Sequence, residues 1–88
     1  LSIQALEICI QKYPDSKEAS NARLFLAEKY RDLGNLLIKS NNLVDAKKCY
    51  SLAYKYYQDC REQQKERIIV SQIDNILNEI EQKNLLIK

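Results

Sequence analysis

Apolar residues recur along the chain at spacings of three and four, the signature of amphipathic helices. Ile3, Leu6, Cys9 and Ile10 form the first such stripe and predict a helix over residues 2–12. Tyr13-Pro14-Asp15 ends it, because proline disfavours helix at the residue before it and cannot extend the hydrogen-bond ladder. A second helix is expected to start at once, capped by Asp15 or Ser16, with Glu18 in its first turn where a carboxylate suits the helix dipole. It runs to about Ser40, with Ala19, Ala22, Leu26, Tyr30, Leu33 and Leu37 on one face. Gly34 interrupts that face at a cost of about 1 kcal/mol relative to alanine, which points to close approach of another helix there. Ser40-Asn41-Asn42 reads as a turn. A third helix follows from Leu43 or Val44, its apolar face being Ala46, Cys49 or Tyr50, Ala53 and Tyr57, continuing towards Cys60. The row Ile69, Ile73, Ile76, Ile80, widened by Ile68, Val70 and Leu77, predicts a last helix. Between the two lies a polar run, Asp59 to Arg67, without glycine or proline. Globular helices average near 12 residues, so a turn or kink is expected within 59–66 in place of one long rod.

Composition narrows the fold. One glycine and one proline are too few for the turns of an all-β protein and favour a few long helices. At 88 residues the chain is one helical domain with a thin core. The net charge of +2 does not suggest a nucleic-acid footprint, and no stretch approaches the roughly 20 apolar residues of a membrane span. Cys9, Cys49 and Cys60 are odd in number and widely spaced, and histidine is absent. That set lacks the close ligand pairs of a zinc site. It reads as small hydrophobes in a reducing, cytoplasmic setting. No metal or other cofactor is implied. Methionine is missing even at position 1, as expected of a piece cut from a longer chain.

The chemistry expected of such a residue set is binding. Without histidine, a glycine-rich phosphate loop or an activated cysteine, the scattered carboxylates read as solvated helix faces, and neither an enzyme nor a small-molecule substrate is expected. Tyr50, Tyr54, Tyr56 and Tyr57 lie near Lys47, Lys48 and Lys55, a pattern that could stack bases. Aromatic residues at helical spacing are mostly core, however, so nucleic acid is not the expected partner.

A repeat signature gives the sharper reading. Tyr30-x2-Leu33-Gly34-x2-Leu37 is followed by Ala46-x3-Tyr50 and then Ala53, within a unit of 34 residues from Ala27 to Cys60. This resembles the tetratricopeptide repeat family, with an aromatic in place of its Trp, Leu in place of its Tyr and Tyr in place of its Phe. Ser2, Leu6, Cys9 and Pro14 fall at the offsets of a second repeat helix. Gln58 stands where the family has Pro, and about ten residues, Lys17 to Leu26, are extra. The resemblance implies an array: residues 1–14 as the second helix of a preceding repeat, 16–60 as a full repeat with an extended first helix, and 61–88 as a capping helix. It also implies a protein–protein interaction module that holds a peptide or helix in a groove lined by the first helix of the repeat. Glu28, Arg31, Asn35 and Ile38 would face that groove. Arg31 and Asn35 are spaced as in family members that grip a carboxylate, with Tyr30 nearby.

Two alternatives stand beside it. The chain is a structural segment that self-associates through Ile69, Ile73, Ile76 and Ile80, whose spacing suits a coiled-coil seam. Or helices over 17–40, 43–60 and 64–86 close into a three-helix bundle resembling a microtubule-interacting-and-transport domain.

Overall fold

The computed structural model describes residues 2–63 and 66–87, and these form four α-helices: α1 (Ile3–Lys12), α2 (Lys17–Lys39), α3 (Leu43–Gln63) and α4 (Arg67–Leu86). The fold is all-α. Local chemistry sets the helix ends. Ser2 and Ser16 cap α1 and α2, their hydroxyls accepting from the amides of Ala5 at 3.1 Å and Ala19 at 3.0 Å. At the end of α2 Asn41 adopts a left-handed φ of 60°, which asparagine tolerates. The amides of Asn41 and Asn42 then turn back onto the carbonyls of Ile38 and Leu37 at 3.0 and 2.8 Å, closing a Schellman motif that reverses the chain into α3. The break expected within 59–66 is present: Glu66 is extended at φ −84°, ψ 123° and starts α4. Gln64 and Lys65, on which part of that expectation falls, lie outside the described residues.

The helices pack in two layers, and the molecule is only 15 Å deep against 37 and 30 Å in the other directions. Two helix layers with axes 8–10 Å apart have about that depth. The dominant seam joins α2 to α3, with smaller ones between α3 and α4 and between α1 and α2. Tyr56 of α3 lies beside Glu7 and Ile10 of α1, so α1 and α3 share a layer. α2 and α4 form the other and run parallel. Leu24 early in α2 lies across from Ile69 and Ile73 early in α4, and Asn35 late in α2 meets Lys83 late in α4.

The main core gathers Ala27 from α2, Ala46, Tyr50, Ala53, Tyr57 and Cys60 from α3, and Ile73, Leu77 and Ile80 from α4. A smaller one joins Leu6 to Ala22 and Leu26. Gly34, Ala27, Ala46 and Ala53 are buried where α2 and α3 cross, and the ring of Tyr50 fills the space they leave. Burying large side chains such as Tyr50, Tyr57, Leu26 and Ile80 stabilises the fold by about 1.5–3 kcal/mol each for the apolar part.

Two expectations need correction. Leu33 is 40% exposed and not core. It lies on the α1-facing side with Ala22 and Leu26, but α1 has only 10 residues and already reaches Tyr30 with Glu7. The α4 stripe is centred on Ile73, Leu77 and Ile80, while Ile68 is exposed and Ile69 and Ile76 pack at its edge. No helix among the described residues is long and apolar enough to cross a membrane.

Candidate functional site

Parallel α2 and α4 straddle α3 and leave a groove between them of about 280 Å³. Leu24, Glu28 and Arg31 line its α2 wall and Ile69, Gln72 and Ile76 its α4 wall, with Tyr57 and Cys60 of α3 along the floor. The 3.6-residue period explains why α2 contributes those positions: Ala27 and Gly34 of the same helix face α3, so Leu24, Glu28 and Arg31 fall one step round.

Of the four residues expected at a binding face, Glu28 and Arg31 line this groove. Asn35 lies further along α2, and its side-chain oxygen accepts from the Tyr50 hydroxyl and, at 3.0 Å, from Lys83 Nζ. That oxygen is therefore committed to holding α3 and α4. Ile38 is 36% exposed near the end of α2 and is not among the groove-lining residues. Tyr30 points the other way, stacked on Tyr56 with ring centroids 6.1 Å apart and its hydroxyl towards Glu7.

The two large tyrosines of the core are treated differently. Tyr50 has its hydroxyl paired with Asn35. Tyr57 is 1% exposed, and its hydroxyl has no hydrogen-bond partner among the described residues. A buried, unpaired polar group costs about 1–3 kcal/mol. The Arg31 guanidinium stands over the Tyr57 ring, 5.8 Å from its centroid, a favourable cation–π placement. Burial pushes the Tyr57 hydroxyl up to about 12, with Arg31 opposing and Glu28 and Asp32 reinforcing the shift. Burial likewise pushes the Cys60 thiol up to about 11, against the pull of Arg23. Burial thus favours the neutral form of both groups.

Sequence reasoning missed Arg23. It is 7% exposed and donates to Gln63 Oε1 at 3.1 Å and to the Pro14 carbonyl at 2.8 Å. Ser20 donates to the same Gln63 oxygen at 3.0 Å. None of these partners is a carboxylate, so a guanidinium charge is buried on neutral acceptors. The available signal was its position between Ala22 and Leu26 on the core stripe. Cys49 and Cys60 are buried, Cys9 is half-buried, and all three are free thiols. Ile73 and Ile80 of the expected self-association stripe are buried within the chain, leaving Ile69 and Ile76 partly uncovered. No family model, curated protein or solved structure matches this chain.

Proposed function

We propose that this chain is a protein–protein interaction module that holds a peptide or helix in the groove between α2 and α4. The groove itself carries the reading. Two parallel helices present apolar side chains, Leu24, Ile69 and Ile76, beside the charges of Glu28 and Arg31, which make no ion pair among the described residues, and this is how an amphipathic helix is gripped. The reading is of a binding module and not of a catalyst, with a protein or peptide as partner and no cofactor. We also take the chain to be a tetratricopeptide-like array: α1 as half a repeat, α2 and α3 as a full one and α4 as the closing helix. The tight crossing of Gly34 on Tyr50 and the full burial of Ala46 and Ala53 support that assignment. So does the trough between α2 and α4, since a closed three-helix bundle would join those two helices in a core seam. A reducing, cytoplasmic setting fits the three free cysteines. Self-association through Ile69, Ile73, Ile76 and Ile80 is less favoured, because α3 already covers Ile73 and Ile80.

The test is selection of peptides from a display library of amphipathic 16-residue helices, followed by titration against the chain and its Leu24→Glu/Gln72→Glu variant. Leu24 and Gln72 are both exposed, so the variant keeps its core. Groove binding predicts peptides whose affinity falls at least about tenfold for the variant. Selected peptides that bind both proteins equally would refute it.

A further inference from the structure

We infer that α2 carries a second interaction surface, a self-complementary strip on its side away from α3, through which two copies of this chain pair antiparallel about a two-fold axis. The strip is Phe25, Lys29, Asp32 and Leu36. Ala27 and Gly34 of the same helix are buried where it crosses α3. Each of the four lies two positions from one of these, about 200° round the helix and so on its opposite side. The molecule is 15 Å deep and α2 belongs to one of its two layers, so that side looks out of the slab. Phe25 is the one phenylalanine of the chain and is 56% exposed, and Leu36 is 59% exposed. Lys29 and Asp32 are exposed too and make no ion pair among the described residues. None of the four lines the groove between α2 and α4, so the strip is a separate surface and does not rest on the groove reading.

The order of the residues names the occupant. Along α2 the strip reads apolar, basic, acidic, apolar, at steps of four, three and four. Three helical turns take about 11 residues, which keeps both ends of the strip on one line. Read in the opposite direction it is apolar, acidic, basic, apolar. A two-fold axis midway between Lys29 and Asp32 therefore sets Phe25 on Leu36 of the other copy and Lys29 on its Asp32, and the symmetry repeats both contacts. A parallel pairing would set Lys29 on Lys29 and Asp32 on Asp32, and these like charges repel, so the strip fixes the direction as well. The complement of every residue in the strip is already present in the chain, which favours a second copy over an unrelated partner. Glu28 stands one turn before Asp32 with the same charge, an unfavourable pair within α2. Lys29 of the other copy would offset it. The strip also gives a use to the length of α2, whose 23 residues include Phe25 in the stretch Lys17 to Leu26 that is extra to the repeat pattern.

The test is sedimentation equilibrium of the full chain, Lys29→Asp, Asp32→Lys and the double variant, at up to about 1 mM, where a small helix–helix interface is populated. The parent should form dimers. Either single reversal creates two like-charge contacts across the axis and should raise the dissociation constant at least about tenfold. The double variant should regain the dimer. So should an equal mixture of the two single variants, because every contact across the axis is then between opposite charges; this rescue also shows that neither variant is misfolded. Phe25→Ala should weaken the dimer and leave the melting temperature in place. A parent that stays monomeric, single reversals that leave its dimer unchanged, or a mixture that associates no better than its components overturns the strip. The groove reading stands or falls separately, on the peptide titration.

Discussion

Gly34→Ala sets two effects of opposite sign against each other at the crossing of α2 and α3. Alanine is the better helix former by about 1 kcal/mol, and Gly34 lies inside α2 with no positive φ to favour glycine. Helix propensity alone would make the substitution stabilising. An added Cβ, however, would stand 2.8 Å from Cε1, 2.9 Å from Cδ1 and 3.2 Å from Cζ of Tyr50. Carbon atoms prefer about 3.5–4.0 Å. The ring cannot yield easily: Tyr50 is fully buried, its hydroxyl is held by Asn35, and Lys83 Nζ lies 5.9 Å from its centroid. Overpacking of this kind costs about 1–3 kcal/mol, so after the propensity gain the net effect is destabilisation by up to about 2 kcal/mol. For a domain of this size that lowers Tm by about 4–8 °C per kcal/mol. In a Tyr50→Leu background the ring is gone, and Gly34→Ala should stabilise by up to about 1 kcal/mol. The assay is urea unfolding followed by far-UV circular dichroism on the four proteins of the cycle. Stabilisation by Gly34→Ala in the parent chain, or an equal effect in both backgrounds, would refute the close crossing.

Other outcomes follow from the same geometry. Asn35→Ala should destabilise the chain by about 1–3 kcal/mol, because the buried Tyr50 hydroxyl loses its acceptor; a change in peptide affinity with no change in urea midpoint would place Asn35 in binding instead. Stability should fall with alkali: unfolded, Cys60 and Tyr57 ionise near 9.0 and 10.0, but folded they hold their protons up to about 11 and about 12. The unfolded chain therefore releases protons first, and stability present below pH 9 is lost progressively as pH rises through 12. A urea midpoint that stays flat from pH 8 to about 11 would contradict this. Finally, a thiol reagent at neutral pH should modify Cys9 quickly and the buried Cys49 and Cys60 slowly; three equal rates in the folded protein would contradict their burial.

The helices were legible because their information is local. A cap at Asp15 or Ser16, Pro14 as a stop and the stripes at three and four need no knowledge of the rest of the chain. Gly34 signalled a close crossing because a mid-helix glycine is costly without a packing reason. Leu33 misled because the period gives a direction round the helix and not the length of the neighbour that covers it. The candidate site divides the same way. The repeat resemblance put Glu28, Arg31, Asn35 and Ile38 on one groove face, and of these Glu28 and Arg31 line the trough between α2 and α4. The commitment of Asn35 to Tyr50 and Lys83, the burial of Arg23 on Gln63 and Pro14, and the stranded hydroxyl of Tyr57 depend on residues 9 to 48 positions away or on how α4 sits beside α2. No local pattern carries that distance.

The most direct test of the central claim is amide NMR of the labelled chain during titration with a selected helical peptide. Groove binding predicts that Leu24, Glu28, Arg31, Gln72 and Ile76 shift, while Lys48, Ser51 and Lys55 on the outer face of α3 stay in place. Shifts confined to that outer face, or spread evenly over α1, would contradict the account.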